Sequence, residues 1–122
     1  MLSSGKAPHQ VSARIIPCGN DLLVCIEGGD SPHIGAVALG IPRPGLSNPT
    51  KTSASASVLC VTGHKEDELA RSAALRLSSH YNCRVVITVG IHIDDAQPED
   101  LAKLETAFQK LLNKIAEAGA RA

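Results

Sequence analysis

The sequence predicts an α+β fold, in which one mixed and mostly antiparallel sheet carries two helices on one face. Three observations lead to this prediction. Four strand-like segments come first, a single helix–strand–helix unit follows them, and each helical segment has one apolar stripe. This β-β-β-β-α-β-α order, in which early strands precede one βαβ unit, is typical of an α+β sandwich.

The predicted strands are apolar segments bounded by turn residues. They comprise residues 11–16, 21–27, 33–41, 54–62 and 84–93. The first two flank the turn sequence Pro17-Cys18-Gly19-Asn20 and are expected to form a hairpin. The last has the clearest alternation of two side-chain sets. Its apolar face, which the helices should cover, consists of Val85, Ile87, Val89, Ile91 and Ile93.

Both helices are predicted from apolar residues that recur at helical spacing. The first covers residues 66–81 and ends at Asn82. The second begins near Pro98, a residue type that suits the first helical turn. Acidic residues at its start and lysines near its end match the helix dipole.

Residues 42–53 connect the third and fourth strands and contain three prolines, among them Pro42 and Pro44, so no regular element is expected there. A connection of this length is often functional or mobile. Two roles stay open for it: a solvated connection, or a lid or docking segment that carries Arg43 and Lys51.

Length and composition indicate a single domain over residues 1–122, with a flexible end at residues 1–9. Hydrophobic residues make up 43% of the chain and aromatics 2%, so the core must be aliphatic. The same scarcity of aromatics argues against single-stranded nucleic acid as a partner. Basic and acidic residues balance at 12 each without a basic stripe, which disfavours duplex binding. Because the sequence has neither a signal-peptide pattern nor the roughly 18-residue apolar run of a membrane span, we expect a soluble cytoplasmic protein.

Polar residues are predicted to converge at one edge of the sheet. If the third and fourth strands pair antiparallel and the fourth and fifth run parallel, three histidines meet there. Ligands of α/β units bind beyond the carboxyl ends of strands, so this edge is the preferred binding site. Its predicted cofactor-binding residues are His33, Gly63, His64, Lys65, His92 and Asp94, with Gly28 and Gly29 nearby.

The segment Thr62-Gly63-His64-Lys65 leads into the first helix. Free N–H groups, the helix dipole and the lysine favour an anion at such a position. The acidic triplet Glu66-Asp67-Glu68 follows directly and would repel a phosphate. Anion binding and plain helix capping therefore both stay open for this segment.

The same histidines, together with Asp94, are conceivable metal ligands, but their spacing matches no metal motif and no metal is expected. None of the four cysteines belongs to a CxxC pair. The sequence has no G-x-S-x-G elbow, so no catalytic residue is assigned. His9 and His80 are expected at the surface. The available carboxylates, which the sequence does not pair with one another, are Glu27, Asp30, Glu66 and Asp94.

The sheet face opposite the helices is expected to be poor in large side chains. Ser55, Ser57 and Thr88 lie on it according to the alternation of the strands. Such an uncovered face leaves room for a ligand or a second chain, so we expect a homodimer.

Three segments resemble a known family: residues 27–38 (EGGDSPHIGAVA), 63–67 (GHKED) and 90–94 (GIHID). They are similar to the prenylated-flavin chaperone-like family typified by the D subunit of bacterial gallate decarboxylase, the LpdD-like proteins. The resemblance extends over residues 10–117. It carries over to the glycines and polar residues of the predicted edge, namely Gly28, Gly29, His33, Gly35, Gly63, His64, Lys65, His92 and Asp94.

The resemblance implies a role beside a larger enzyme. Family members accompany UbiD-type decarboxylases, which use prenylated FMN, and are implied to help mature or stabilise the catalytic subunit. The family's fold is similar to that of small proteasome-assembly chaperones, which also form dimers. The resemblance thus implies prenylated FMN or FMN as ligand, the decarboxylase as partner, and an accessory protein more than an enzyme. Two alternatives stay open: a small lyase or decarboxylase that uses the histidine edge, and an assembly chaperone that binds protein only.

Overall fold

The aliphatic segments of the sequence pair into one six-stranded sheet. The computed structural model describes residues 1–61 and 66–119, in which six strands and two helices form. The strands are β1 (Leu2–Ser4), β2 (Val11–Cys18), β3 (Asp21–Gly29), β4 (Ala36–Pro44), β5 (Thr52–Cys60) and β6 (Val85–His92). The helices are α1 (Asp67–Tyr81) and α2 (Pro98–Ala118).

The strand order across the sheet is β1-β2-β3-β6-β4-β5. Strands β3 and β6 pair in parallel, and every other neighbouring pair is antiparallel. The predicted fold class, a mixed and mostly antiparallel sheet with two helices, is confirmed. Strands β5 and β6 run in the same direction, as expected for a βαβ unit, but β4 lies between them.

Both helices cover the predicted face of the sheet. Val85, Ile87 and Val89 of β6 are fully buried in one core that also contains the apolar faces of α1 and α2. Helix α1 contributes mainly alanines, and its small side chains let it approach β4 closely. A Cβ atom on Gly40 would overlap the carbonyl oxygen of Ala74, so this contact requires glycine. The larger core side chains come from α2, namely Leu104, Phe108, Leu111, Leu112 and Ile115.

The proline-rich connection is shorter than the sequence predicts. Strand β4 continues to Pro44 and β5 begins at Thr52, so only residues 45–51 form the loop. The prediction that prolines exclude a regular element was therefore wrong for Pro42 and Pro44. Strand β4 pairs with β6 only as far as Gly40, and beyond it β5 is its one neighbour. Beyond Gly40 one side of β4 has no neighbouring strand. A proline, which lacks a backbone N–H, is tolerated in such a segment because that side forms no sheet hydrogen bonds.

The opposite face of the sheet is more apolar than predicted. One row crosses five strands in register, from β2 through β3, β6 and β4 to β5. The row consists of Ile16, Leu23, Val86, Leu39 and Ser57. No helix or strand of residues 1–61 and 66–119 packs over it, and Ile16 is 49% exposed. Serines occupy this face, as predicted, but large aliphatic side chains lie between them.

The first residues of the chain have regular structure where the sequence predicted a flexible end. Strand β1 pairs with β2, and the Lys114 ammonium donates to the Ser3 carbonyl oxygen at 2.7 Å. The ring nitrogen Nε2 of His9 lies 2.8 Å from Oδ1 of Asp100, and the His9 side chain is only 15% exposed. The expectation of a surface histidine was wrong here, because its partner lies on α2, far away in the sequence.

The first prediction concerns Asp100. The backbone N–H of Gln97 donates to its Oδ2 at 2.8 Å, and this bond, followed by the His9 contact, holds the pKa of the carboxyl below its ordinary value of 3.8. Because the pKa is lower in the folded state, the Asp100 carboxylate stabilises the fold fully above its unfolded-state pKa, about 4. This stabilisation is lost as the pH falls from there through the folded-state pKa. Asp100→Asn should lower the free energy of unfolding at about pH 7, and its difference from the wild type should shrink below about pH 4.

Urea titrations across this pH range measure the effect. Glu99→Gln is the matched control, because it removes a carboxylate from the same helical turn and leaves both Asp100 bonds in place. A difference between Asp100→Asn and wild type that does not change with pH would contradict the prediction.

Candidate functional site at the carboxyl ends of β3 and β6

The parallel pairing of β3 with β6 brings their carboxyl ends to one edge of the sheet. Gly29 is paired with His92 at this edge, and the connection from β3 to β4, residues 30–35, crosses it. The backbone N–H of Asp30 donates to the His92 carbonyl oxygen at 2.6 Å, and that of Gly35 donates to Val89 at 2.9 Å. The strand ends that the sequence predicted to meet therefore do so at this edge, and the loop that crosses it is held by backbone hydrogen bonds.

Two glycines allow the loop to lie this close to β6. A Cβ atom on Gly90 would overlap the carbonyl oxygen of His33. Gly29 has a φ of 75°, a conformation that side chains disfavour, and a Cβ there would overlap the His92 carbonyl. Because these positions lack side chains, the loop sits against β6 and turns the His33 ring towards the start of α1.

The His33 ring meets the carboxylate of Glu66. Its Nε2 lies 3.0 Å from Oε1 of Glu66, and the carboxylate is 9% exposed. Glu66 is the N-cap residue of α1, and the backbone N–H of Ile91 also points at its Oε1, at 3.4 Å. A Cβ atom on Gly35 would overlap Oε2, so the glycine makes the room in which this carboxylate lies.

Hydrogen-bond geometry fixes the orientation of the His33 ring. Nδ1 of His33 lies 2.9 Å from the Ser31 carbonyl oxygen, which can only accept, so Nδ1 carries a hydrogen. Both ring nitrogens are therefore engaged, Nδ1 with Ser31 and Nε2 with Glu66. The pair places an imidazole and a carboxylate in direct contact in a nearly buried position.

A second histidine–carboxylate pair lies beside the first and is exposed. Nε2 of His92 is 3.0 Å from Oδ1 of Asp94, and the two side chains are 48% and 75% exposed. The Asp94 backbone N–H donates to Oδ2 of Asp30 at 3.2 Å, which ties the end of β6 to the start of the loop. The rings of His33 and His92 meet edge to face with centroids 6.4 Å apart. The edge thus presents two imidazoles and two accessible carboxylates to a ligand.

The structure brings together three of the predicted site residues, His33, His92 and Asp94. The other three, at positions 63–65, lie outside the described residues, as does Thr62. From the sequence, Glu66 was expected to be one of three carboxylates at the helix start that would repel a phosphate. Its side chain instead faces inward against the His33 ring.

Sequence reasoning missed the pairing of Glu66 with His33. The available signal was Gly35, a residue without a side chain on an otherwise regular strand segment near a histidine. Gly35 indicates this contact only once the fold is known, because the fold places the start of α1 next to Gly35. Asp30 was likewise recognised as a carboxylate without a partner, and its bond to the Asp94 backbone follows from the same placement.

The described part of the chain contains no group of three or more His, Cys, Asp or Glu side chains able to hold a metal ion. None of its helices is long and apolar enough to cross a membrane. The polar groups of the site are imidazole nitrogens and carboxylate oxygens on the sheet edge. Imidazole N–H groups donate and carboxylate oxygens accept, so this arrangement suits the polar rim of an organic ring system.

The described residues thus form a small α+β fold with a polar edge beside an uncovered sheet face. Comparison with known protein families matches residues 5–120 to the prenylated flavin chaperone LpdD-like domain. The chain therefore belongs to this family, and the resemblance found in its three segments is confirmed. A search of curated proteins returns no match.

The second prediction tests the buried pair. Glu66→Gln and His33→Asn should be strongly coupled in stability, because each removes a partner from a nearly buried hydrogen bond. We expect a coupling free energy of about 1–3 kcal/mol in a double-mutant cycle followed by urea unfolding. The exposed pair of His92→Asn with Asp94→Asn is the matched control, for which less than about 1 kcal/mol is expected. Equal coupling in both cycles would contradict a special role of the buried pair.

Proposed function

We propose that this protein is an accessory, chaperone-like protein of a UbiD-type decarboxylase that depends on prenylated flavin. It holds prenylated FMN, or FMN, at the edge formed by β3 and β6 and helps to mature or stabilise the catalytic subunit. Membership of the prenylated flavin chaperone family supports this proposal. The observation that carries it is the His33–Glu66 pair, which places a fixed hydrogen-bonding ring at a glycine-lined strand end.

The donor set at the edge fits the ring system of a flavin. An isoalloxazine has carbonyl oxygens and a ring N–H along one rim. The His92 imidazole suits a carbonyl oxygen and the Asp94 carboxylate suits the N–H. The His33 ring, whose two nitrogens are already bonded to Ser31 and Glu66, would contact the flavin without a hydrogen bond. The flavin, when bound, would bring the redox and ring chemistry for the partner enzyme. The residues of this chain would orient it.

The phosphate requires cations that the described edge lacks. Asp30, Glu66 and Asp94 place three carboxylates there against two histidines. A phosphate would therefore be directed away from them, towards the segment between β5 and α1. In the proposal, the N–H groups at Gly63 and His64 and the ammonium of Lys65 bind it, as the sequence predicts.

The third prediction tests flavin binding. Titration of FMN, prenylated if it can be prepared, into the protein should give saturable quenching of flavin fluorescence. Lys65→Glu should weaken binding by about 1–3 kcal/mol, because one charge-assisted hydrogen bond is lost and a like charge is added. Lys51→Glu makes the same charge change in the β4–β5 loop and should bind as the wild type does.

The variants separate the parts of the proposal. Equal affinity of Lys65→Glu and Lys51→Glu would remove the phosphate role from the segment before α1. Unchanged affinity of His33→Asn would remove the ring-binding role from the edge. The absence of binding to any of these proteins would leave a chaperone that contacts the decarboxylase alone.

We further propose that two copies of the chain associate through the uncovered sheet face. The apolar row of Ile16, Leu23, Val86 and Leu39 is adjoined on the same face of β5 by Leu59, which lies opposite Val37 and is 77% exposed. Arg14 and Glu27 lie near the row and are paired with each other at 3.3 Å. A second copy would therefore cover aliphatic surface, and the chain as a whole is neutral.

The fourth prediction concerns this association. Wild-type protein should have the mass of a dimer in light scattering at tens of micromolar. Leu39→Glu and Leu59→Glu should shift the mass towards the monomer, because each would bury a charge in an apolar contact. Leu46→Glu is the control, since Leu46 is 88% exposed in the loop of residues 45–51 and away from the row. A monomeric wild type would contradict the proposal.

One observation favours a second candidate function. The direct contact of the His33 imidazole with the Glu66 carboxylate joins two groups that serve in general acid–base catalysis, so a small lyase or decarboxylase that uses this edge is the alternative. Turnover of aromatic acids by the isolated protein, abolished in Glu66→Gln, would support the enzyme. Stimulation of a separate decarboxylase subunit without turnover by this chain alone would support the accessory role.

A further inference from the structure

A groove separates the N-terminal turn from helix α2. Its volume is about 470 Å³, within the range of small-ligand sites. It shares no residue with the edge at His33 and His92. Three of its lining residues are lysines, and the remainder are small or uncharged apart from His9. Its lining includes Lys6, Ala7, Lys103, Thr106, Ala107 and Lys110.

The groove is formed by the close docking of the N-terminal turn. Gly5 has a φ of 79°, and a Cβ atom there would lie 3.0 Å from the Cβ of Ala107, so the turn approaches α2 as closely as a glycine permits. Lys103 and Lys110 are seven residues apart on α2 and therefore share one face of the helix, with Thr106 and Ala107 between them. Lys6 faces them from the turn.

The groove has an excess of positive charge. Within residues 1–61 and 66–119, no ion pair within 4.0 Å engages Lys6, Lys103 or Lys110. The carboxylate at the start of α2, Asp100, accepts from His9 and from the Gln97 N–H, and Lys103 is near enough to help lower its pKa, so Asp100 offsets only part of the lysines' charge. Three ammonium groups around one cavity repel each other, although the chain as a whole carries equal numbers of acidic and basic residues. A bound anion would relieve this repulsion.

We propose that the groove binds a small organic phosphate, a phosphate monoester on a compact apolar body. Lysine ammonium groups are point charges suited to a phosphate dianion, whose higher charge gains more from three cations than a monovalent carboxylate does. The methyl groups of Ala7, Ala102 and Ala107 provide an apolar floor for the body of the ligand. This site is distinct from the flavin edge proposed above and does not depend on it.

Phenyl phosphate is the probe, followed by amide chemical shifts in ¹⁵N-labelled protein. Saturable shifts should be confined to residues 5–9 and 102–110. Lys103→Gln and Lys110→Gln should each weaken binding about tenfold, because each removes a charged hydrogen-bond donor. Lys51→Gln removes a lysine from the β4–β5 loop and should not alter binding. Unchanged dispersion of the amide spectrum verifies that each variant is folded.

The outcomes are separable from those of the flavin experiment. His33→Asn should bind phenyl phosphate as the wild type does, even if it loses FMN. Equal affinity in Lys51→Gln and Lys103→Gln, or shifts outside the groove, would overturn the proposal. Inorganic phosphate should bind more weakly than phenyl phosphate. Equal affinities for the two would show that the apolar floor takes no part and would overturn the assigned ligand class.

Discussion

The parallel hydrogen bonding of β3 to β6 is the interaction on which the rest of the molecule depends. Strand β6 is paired on both sides, with β3 in parallel and β4 antiparallel, and its Val85, Ile87 and Val89 are fully buried. The carboxyl ends of both strands lie at one edge of the sheet. From β3 the chain crosses this edge to β4, and from β6 it continues to α2. Because β4 lies beside β6, the start of α1 is also brought to that edge, and Glu66 meets the His33 ring there.

Most of the secondary structure could be predicted from the sequence because it depends on local patterns. The helix at 66–81, its end at Asn82 and the apolar face of β6 all follow from local sequence patterns, and Asn82 closes the helix in the left-handed conformation. The order of the strands could not be predicted, since alternation specifies which face of a strand is buried but not which strand lies beside it. The position of β4 between β6 and β5 is one example. The strand character of Pro42 depends on the register of the sheet, because β6 begins at Val85, opposite Gly40, and leaves one side of β4 unpaired beyond that point.

In the candidate site, too, some features could be predicted from the sequence and others could not. Convergence of His33, His92 and Asp94 could be predicted, since it requires only that strand ends meet at an edge. The inward position of Glu66 could not, because burying a carboxylate requires both a partner and space. The partner is His33 and the space is left by Gly35, and neither is near Glu66 in the chain. A carboxylate that looks like part of an exposed acidic triplet is in this way converted into part of the site.

The histidine edge and the lysine groove lie at the same end of the sheet but differ in charge. The backbone N–H of Gly29 donates to Gln10, so the residue after His9 is in contact with the end of β3. Asp30 and Asp94 lie on one side of this contact, and the lysines of the groove lie on the other. A chain without net charge thus separates its charges over a short distance. In the two proposals, the groove attracts the phosphate of its ligand, whereas the carboxylates of the edge bind only the ring of a flavin and direct its phosphate away from them. The fold would thus offer two surfaces of different charge to ligands of different chemistry.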